Sequence, residues 1–192
     1  MGKFFESLNR VLVAGVVLAV VAFLILHLSR FEGSAYLAFI LRAIHVWFGI
    51  LWIGLLYYFN FVQIPSMPKI PDEQKPAVGK VIAPAALFYF RWAAALTMLL
   101  GLALAEVNGY LGQALAFQPG FATIGLGMWL GLIMGANVWG IIWPNQKRAL
   151  GIVQVDADAK KKAARTAMIA SRVNTMLSIP MLYCMVGQSH FG

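Results

Sequence analysis

Five uninterrupted apolar runs, at residues 11–29, 35–59, 83–106, 121–143 and 166–188, constrain the fold of this 192-residue chain more than any other feature. Crossing a hydrocarbon core about 30 Å thick takes about 20 helical residues, and each run reaches about that length. The runs are continuous, whereas the strands of a membrane barrel alternate in polarity over segments of about 10 residues. The expected fold is all-α: a polytopic bundle of about five transmembrane helices, forming a single integral membrane domain over residues 1–192. With 61% hydrophobic and only 11% charged residues, the composition lies well outside that of soluble domains. Lys3 and Arg10 precede the first run as in a secretory leader, but the run is long and ends in His27, Ser29 and Arg30 without a small-residue cleavage site. It therefore reads as an anchor.

A net charge of +8 raises the question of nucleic acid, and the placement of the cations answers it. Lys3 and Arg10 precede the first run. Lys69, Lys75 and Lys80 separate the second and third, and Lys147, Arg148, Lys160, Lys161, Lys162 and Arg165 separate the fourth and fifth. The other two loops hold only Arg30. By the positive-inside rule the N-terminus is cytoplasmic and the C-terminus outside, so the basic loops meet lipid and no nucleic acid is implied. Cys184 is the only cysteine, which excludes an intrachain disulfide or a zinc–cysteine site, and the lack of C-x-x-C-H excludes covalent c-type haem. Pro65, Pro68, Pro71 and Pro119-Gly120 punctuate loops, Pro144 is expected to stop the fourth helix, and Pro180 to kink the fifth. No internal repeat supports a transporter.

Three arginines, Arg42, Arg91 and Arg172, fall inside the apolar runs, and the only acid there is Glu106, at the far edge of the third. An ionisable side chain at a helix centre costs about 2.5 to 3.5 kcal/mol on insertion scales, so such residues tend to face the interior and meet a partner. That partner is expected to be backbone carbonyls, lipid, water or a bound anion. Arg91 lies too deep for easy snorkelling, and its flat guanidinium suits a carboxylate or haem propionate, the competing reading being a cap on helix carbonyls. Arg172 either joins such a site or snorkels to the surface.

On the second helix Arg42, His45, Gly49 and Trp52 share one stripe, with Trp47 on the other side. His45 is a candidate axial ligand for a b-type haem, with Gly49 admitting a flat macrocycle, and also a candidate proton carrier. The structural alternative is a histidine bonded to a neighbouring helix. Asn137 on the fourth helix is either a ligand contact or an interhelical hydrogen bond, and Trp139 and Trp143 fit an interfacial belt. His190 is a weaker candidate for a second ligand. His27 has the same standing, and both lie near helix ends.

The strings HVWFGILWIGLLYYFNFVQIP from His45, ALFYFRWAAALT from Ala86, GANVWGIIWPNQKRALG from Gly135 and ASRVNTMLSIPMLYCMVGQSH from Ala170 closely resemble the membrane domain of bacterial membrane-bound, cytochrome-linked urate oxidases. The likeness runs in order over about residues 40–190. In that family a cytochrome c domain follows the membrane domain and takes electrons from urate, whereas this chain stops at Gly192. The resemblance implies a multi-pass protein of the bacterial inner membrane, redox-associated, whose electrons leave through a separate partner such as a cytochrome c. The Leu-Arg-Ala-Ile-His stretch ending at His45 distantly resembles haem-binding oxidases of protoporphyrinogen and raises the case for haem there.

Three functions are open. In a urate-oxidising component, Arg42, Arg91 and Arg172 would bind the anion, with Asn137 and Trp52 lining its site, and His45 would move a proton. In an electron-transfer subunit, His45 would ligate haem b and the arginines its propionates. A non-catalytic accessory subunit would pack against a larger respiratory, photosynthetic or monooxygenase complex.

Overall fold

The computed structural model describes residues 2–27 and 33–191, and these are helical with short connections and without strands. Ser29 and Arg30 lie outside the described residues. Five helices are long and apolar enough to cross a membrane, in agreement with the five runs. The chain divides into two compact units, residues 1–39 and 40–192.

In the first unit a short turn, Gly2–Phe5, precedes helix α1, Leu8–His27, none of whose residues is buried. Helix α2, Gly33–Lys69, begins here, and its Tyr36 ring packs 4.4 Å from Phe23.

The second unit comprises the rest of α2 with α3 (Lys75–Val107), the short α4 (Leu111–Leu115), α5 (Ala122–Ala149) and α6 (Ala157–Phe191). The apolar stripes converge on one core: Trp52, Leu56 and Phe59 of α2, Phe90 and Ala94 of α3, Met134, Val138 and Ile142 of α5, and Ala170 and Met181 of α6. Helices α5 and α6 form its most extensive pair.

Proline behaves differently from the sequence expectation. Helix α2 continues past Pro65 and Pro68 to Lys69, and α5 continues through Pro144 to Ala149. Wide π-helical turns occupy residues 58–63, 78–82 and 138–142, and the second residue after each is a proline, Pro65, Pro84 and Pro144. The reason is steric: proline lacks an N–H and its ring crowds the carbonyl four residues back, and an i→i+5 turn just before it relieves both demands. Pro180 is crossed without such a turn, and α6 is α-helical on both sides of it.

The two ends of this unit are built differently. At the lysine-rich end the helix ends carry Lys69, Lys75, Lys80, Lys147 and Lys160–Lys162. At the opposite end α4 seals the bundle. A Cβ on Gly125 would lie 2.1 Å from the Ala114 carbonyl oxygen, so only glycine lets α5 approach α4 this closely. Gln188 of α6 ties the same corner: its Oε1 accepts from the Ile124 N–H at 3.0 Å, and its Nε2 donates to the Gly120 carbonyl at 3.0 Å. Gly120, at φ 83°, turns the chain into α5 after Pro119.

Candidate functional site

The stripe of α2 that carries His45 faces α3. The His45 Nδ1 lies 2.8 Å from the Thr97 carbonyl oxygen, and a carbonyl can only accept, so Nδ1 carries the proton. Nε2 then holds a lone pair. The ring sits on Gly101, where an added Cβ would come within 2.9 Å of it, and the missing side chain is what admits the imidazole. Thr97 is anchored in turn, its hydroxyl donating to the Ala93 carbonyl at 2.7 Å. Gly49 packs against Thr97, and Trp52 is almost fully buried, with no protein partner for its indole N–H. Trp47 is exposed, on the other side of the helix as its spacing implies.

A polar seam runs between α2, α5 and α6. The Asn60 amide donates to the Leu56 carbonyl and, at 2.8 Å, to the Ser171 hydroxyl, and Tyr57 and Ser178 share a bond of 2.9 Å. The Asn137 amide donates to Asn174 Oδ1 at 2.7 Å and to the Ala170 carbonyl, while Asn174 donates to the Met134 carbonyl at 2.9 Å. Of the two readings of Asn137, interhelical bonding is thus present. Its Oδ1, like Asn60 Oδ1, is buried without a protein partner, so each could still accept from a ligand. Sequence reasoning passed over Ser171, Asn174 and Ser178. Their i, i+3, i+7 spacing marks one face of α6 and was the available signal.

The seam leads to a cavity of about 520 Å³ at the lysine-rich end, bounded by α2, α3, α5 and α6. Phe59, Leu87, Phe90 and Ile142 give it apolar walls. Lys75, Lys80 and Lys160 line it as well, with Asp72, which pairs with Lys75. All three π-helical turns contribute lining residues, among them Phe59, Gly79 and Ile142. Turns of this kind recur at functional sites because they re-aim side chains within a helix. Gln63, at the end of the first of them, has a buried Oε1 with no protein partner.

The arginines do not converge. Arg42 is exposed, one turn before His45, and its charge is felt at Tyr110. Arg91 stands over the Trp143 ring at 4.0 Å and the Phe88 ring at 5.2 Å, a cation–π partner the sequence reading did not weigh. Arg91 and Gly101 are ten residues apart on α3, about 15 Å at 1.5 Å per residue, which separates Arg91 from the histidine. Arg172 is exposed on α6. Trp139, half-buried, sets its ring edge-on to Trp92 at 5.3 Å. His190 is exposed in the last turn of α6, and His27 stacks on Phe23 in the first unit. Among the described residues no three His, Cys, Asp or Glu side chains converge.

Residues 110–192, which take in α4, α5 and α6, match the family model described as urate oxidase N-terminal. Over these residues the chain is similar to the N-terminal domain of urate oxidases. The urate oxidase N-terminal match takes in Asn137, Trp143, Arg172 and Asn174, together with the clamp made by Gln188. It starts after His45 and Arg91, whose likeness to the family rests on the strings of α2 and α3. No curated protein and no solved structure matches the chain.

Proposed function

We propose that this membrane protein is a redox-associated component of the urate oxidase membrane-domain type, in which His45 holds a b-type haem and passes electrons to a cytochrome c. One observation carries the reading: His45 donates its Nδ1–H to a backbone carbonyl, which leaves the lone pair on Nε2. Haem- and metal-ligating histidines adopt this arrangement, since the second bond fixes the tautomer and the ring orientation. The residues fit the group in two respects, a ligand nitrogen whose lone pair the Thr97 bond fixes and Arg42 one turn away as counter-charge for a propionate. Gly49 does not offer the flat approach its spacing suggests, because Thr97 occupies that side. A haem would supply the one-electron carrier that side chains lack.

His45 orients the group, Thr97 locks His45, and Gly101 leaves room for the ring. Arg91 and Arg172, with Asn137 and Trp52, remain candidates for anion contact. The test is urate-dependent reduction of added cytochrome c, two equivalents per urate, in membranes containing the protein. Substituting His45→Ala lowers this rate at least about tenfold if His45 is the ligand or the proton carrier. An unchanged rate removes His45 from the chemistry.

The accessory-subunit reading has its own support. Helix α1 buries none of its residues, and an apolar groove on α5 and α6, walled by Ile133, Ile141, Ile169 and Leu177, suits a helix of another subunit. Urate-independent behaviour together with stoichiometric co-purification of a larger bacterial inner-membrane complex would favour it.

A further inference from the structure

We propose that the cavity at the lysine-rich end binds the phosphate of an amphiphilic anion, with the phosphate against Lys75, Lys80 and Lys160 and the apolar part against Phe59 and Phe90. The proposal is independent of any haem at His45. Four features of the cavity carry it.

The first is size and composition. About 520 Å³ of space between helices is walled mainly by apolar side chains, with Lys75, Lys80 and Lys160 in its lining against one carboxylate, Asp72, so that pairing Asp72 with Lys75 still leaves two cations in excess. That combination suits a molecule with one anionic end and one apolar end. The second is an unmet acceptor: Gln63 Oε1 is buried and lacks a donor among the described residues, and buried acceptors in folded proteins are nearly always satisfied. A ligand hydroxyl beside the phosphate would satisfy it. The third is construction. Each of the three π-helical turns, all set before a proline, contributes residues to the cavity wall, among them Phe59, Gly79 and Ile142. The fourth is location. The cavity lies between helices at the end of the bundle where the helix ends hold most of the cations, and basic pockets between transmembrane helices on the cytoplasmic side bind anionic lipid head groups.

Phosphate on an apolar body can come from an anionic phospholipid or from a soluble phosphate ester, and the test separates them. The intact protein is reconstituted in nanodiscs of phosphatidylcholine alone or with phosphatidylglycerol, and thermal midpoints are measured with and without inorganic phosphate. Bound lipid is then counted by native mass spectrometry of detergent-released protein. Phosphatidylglycerol retained on the protein, with a raised midpoint, identifies the lipid source. A rise with inorganic phosphate in phosphatidylcholine alone identifies the soluble source.

The combined substitution Lys75→Gln, Lys80→Gln and Lys160→Gln reduces retention about tenfold or more in either case. The charge-matched control Lys69→Gln, Lys161→Gln and Lys162→Gln, at positions outside the cavity, leaves it within about twofold. Should the lysine triple fail to fold, Gly79→Leu serves instead, because Gly79 lines the cavity and a Cβ there meets nothing within 4 Å. Its added bulk displaces the ligand while all charges stay. No retention and no midpoint shift in the unaltered protein would overturn the proposal, as would equal losses in the cavity and control variants.

Discussion

The two ends of the 40–192 unit solve the same packing problem in opposite ways. Opposite the lysines, helices α4, α5 and α6 close on one another: Gly125 lets the chain press against a backbone carbonyl, and Gln188 stitches two further backbone groups. At the lysine-rich end, proline and π-helical turns widen the helices, and Gly79 faces open space beside a cavity. Glycine is thus required by contact at one end and makes room at the other. A closed end holds the bundle together, and an open end is where a ligand can enter.

The sharpest test of this contrast is Gly125→Ala. The new methyl would meet backbone that cannot rotate away, so a loss of about 3 kcal/mol is expected in reversible unfolding in mixed micelles. A loss below about 0.5 kcal/mol would mean that the closed end is not closed. Next comes the seam joining the two ends. Asn174→Leu removes the bond to the Met134 carbonyl and one of the two bonds made by the Asn137 amide, which should cost about 1 to 2 kcal/mol in the same assay.

A smaller effect is expected from pH at the closed end. Burial raises the Tyr110 hydroxyl above its ordinary range, an effect only partly opposed by the nearby Arg42 charge. The folded state therefore keeps its proton at pH values where the unfolded chain has released it. The stability gained is present below about pH 10, the unfolded value, and is lost as pH rises through the higher folded value. Tyr110→Phe should flatten this alkaline loss in a pH series of thermal midpoints, and an unchanged slope would place the sensitivity elsewhere. The smallest change is expected from Gly79→Ala at the open end, within about 0.5 kcal/mol of the unaltered protein. Comparable losses at Gly79 and Gly125 would erase the distinction between the ends.

Much of this architecture is legible in the chain itself. Continuous apolar runs encode the five helices because bilayer thickness leaves few alternatives, and the spacing of Arg42, His45, Gly49 and Trp52 correctly marks one stripe of α2. The prolines misled because their usual effect is to end a helix, and the local π-turn that absorbs the clash has no strong sequence signature. Pro144 therefore reads as a stop although α5 runs on to Ala149. The arginines misled for another reason. Depth within an apolar run does not specify which neighbour a residue faces, and only the helix register brings Arg91 over Trp143 while leaving Arg42 near Tyr110. The cavity was illegible because its lining is drawn from four helices, none of which carries a motif for it.

The redox reading stands or falls with His45. A reduced-minus-oxidised optical spectrum of gently solubilised protein, taken beside His45→Ala, addresses it without assuming a substrate. A b-type haem signal present in the unaltered protein and lost in His45→Ala is the expected result. A spectrum without haem bands from folded protein, or bands that survive the substitution, would contradict it.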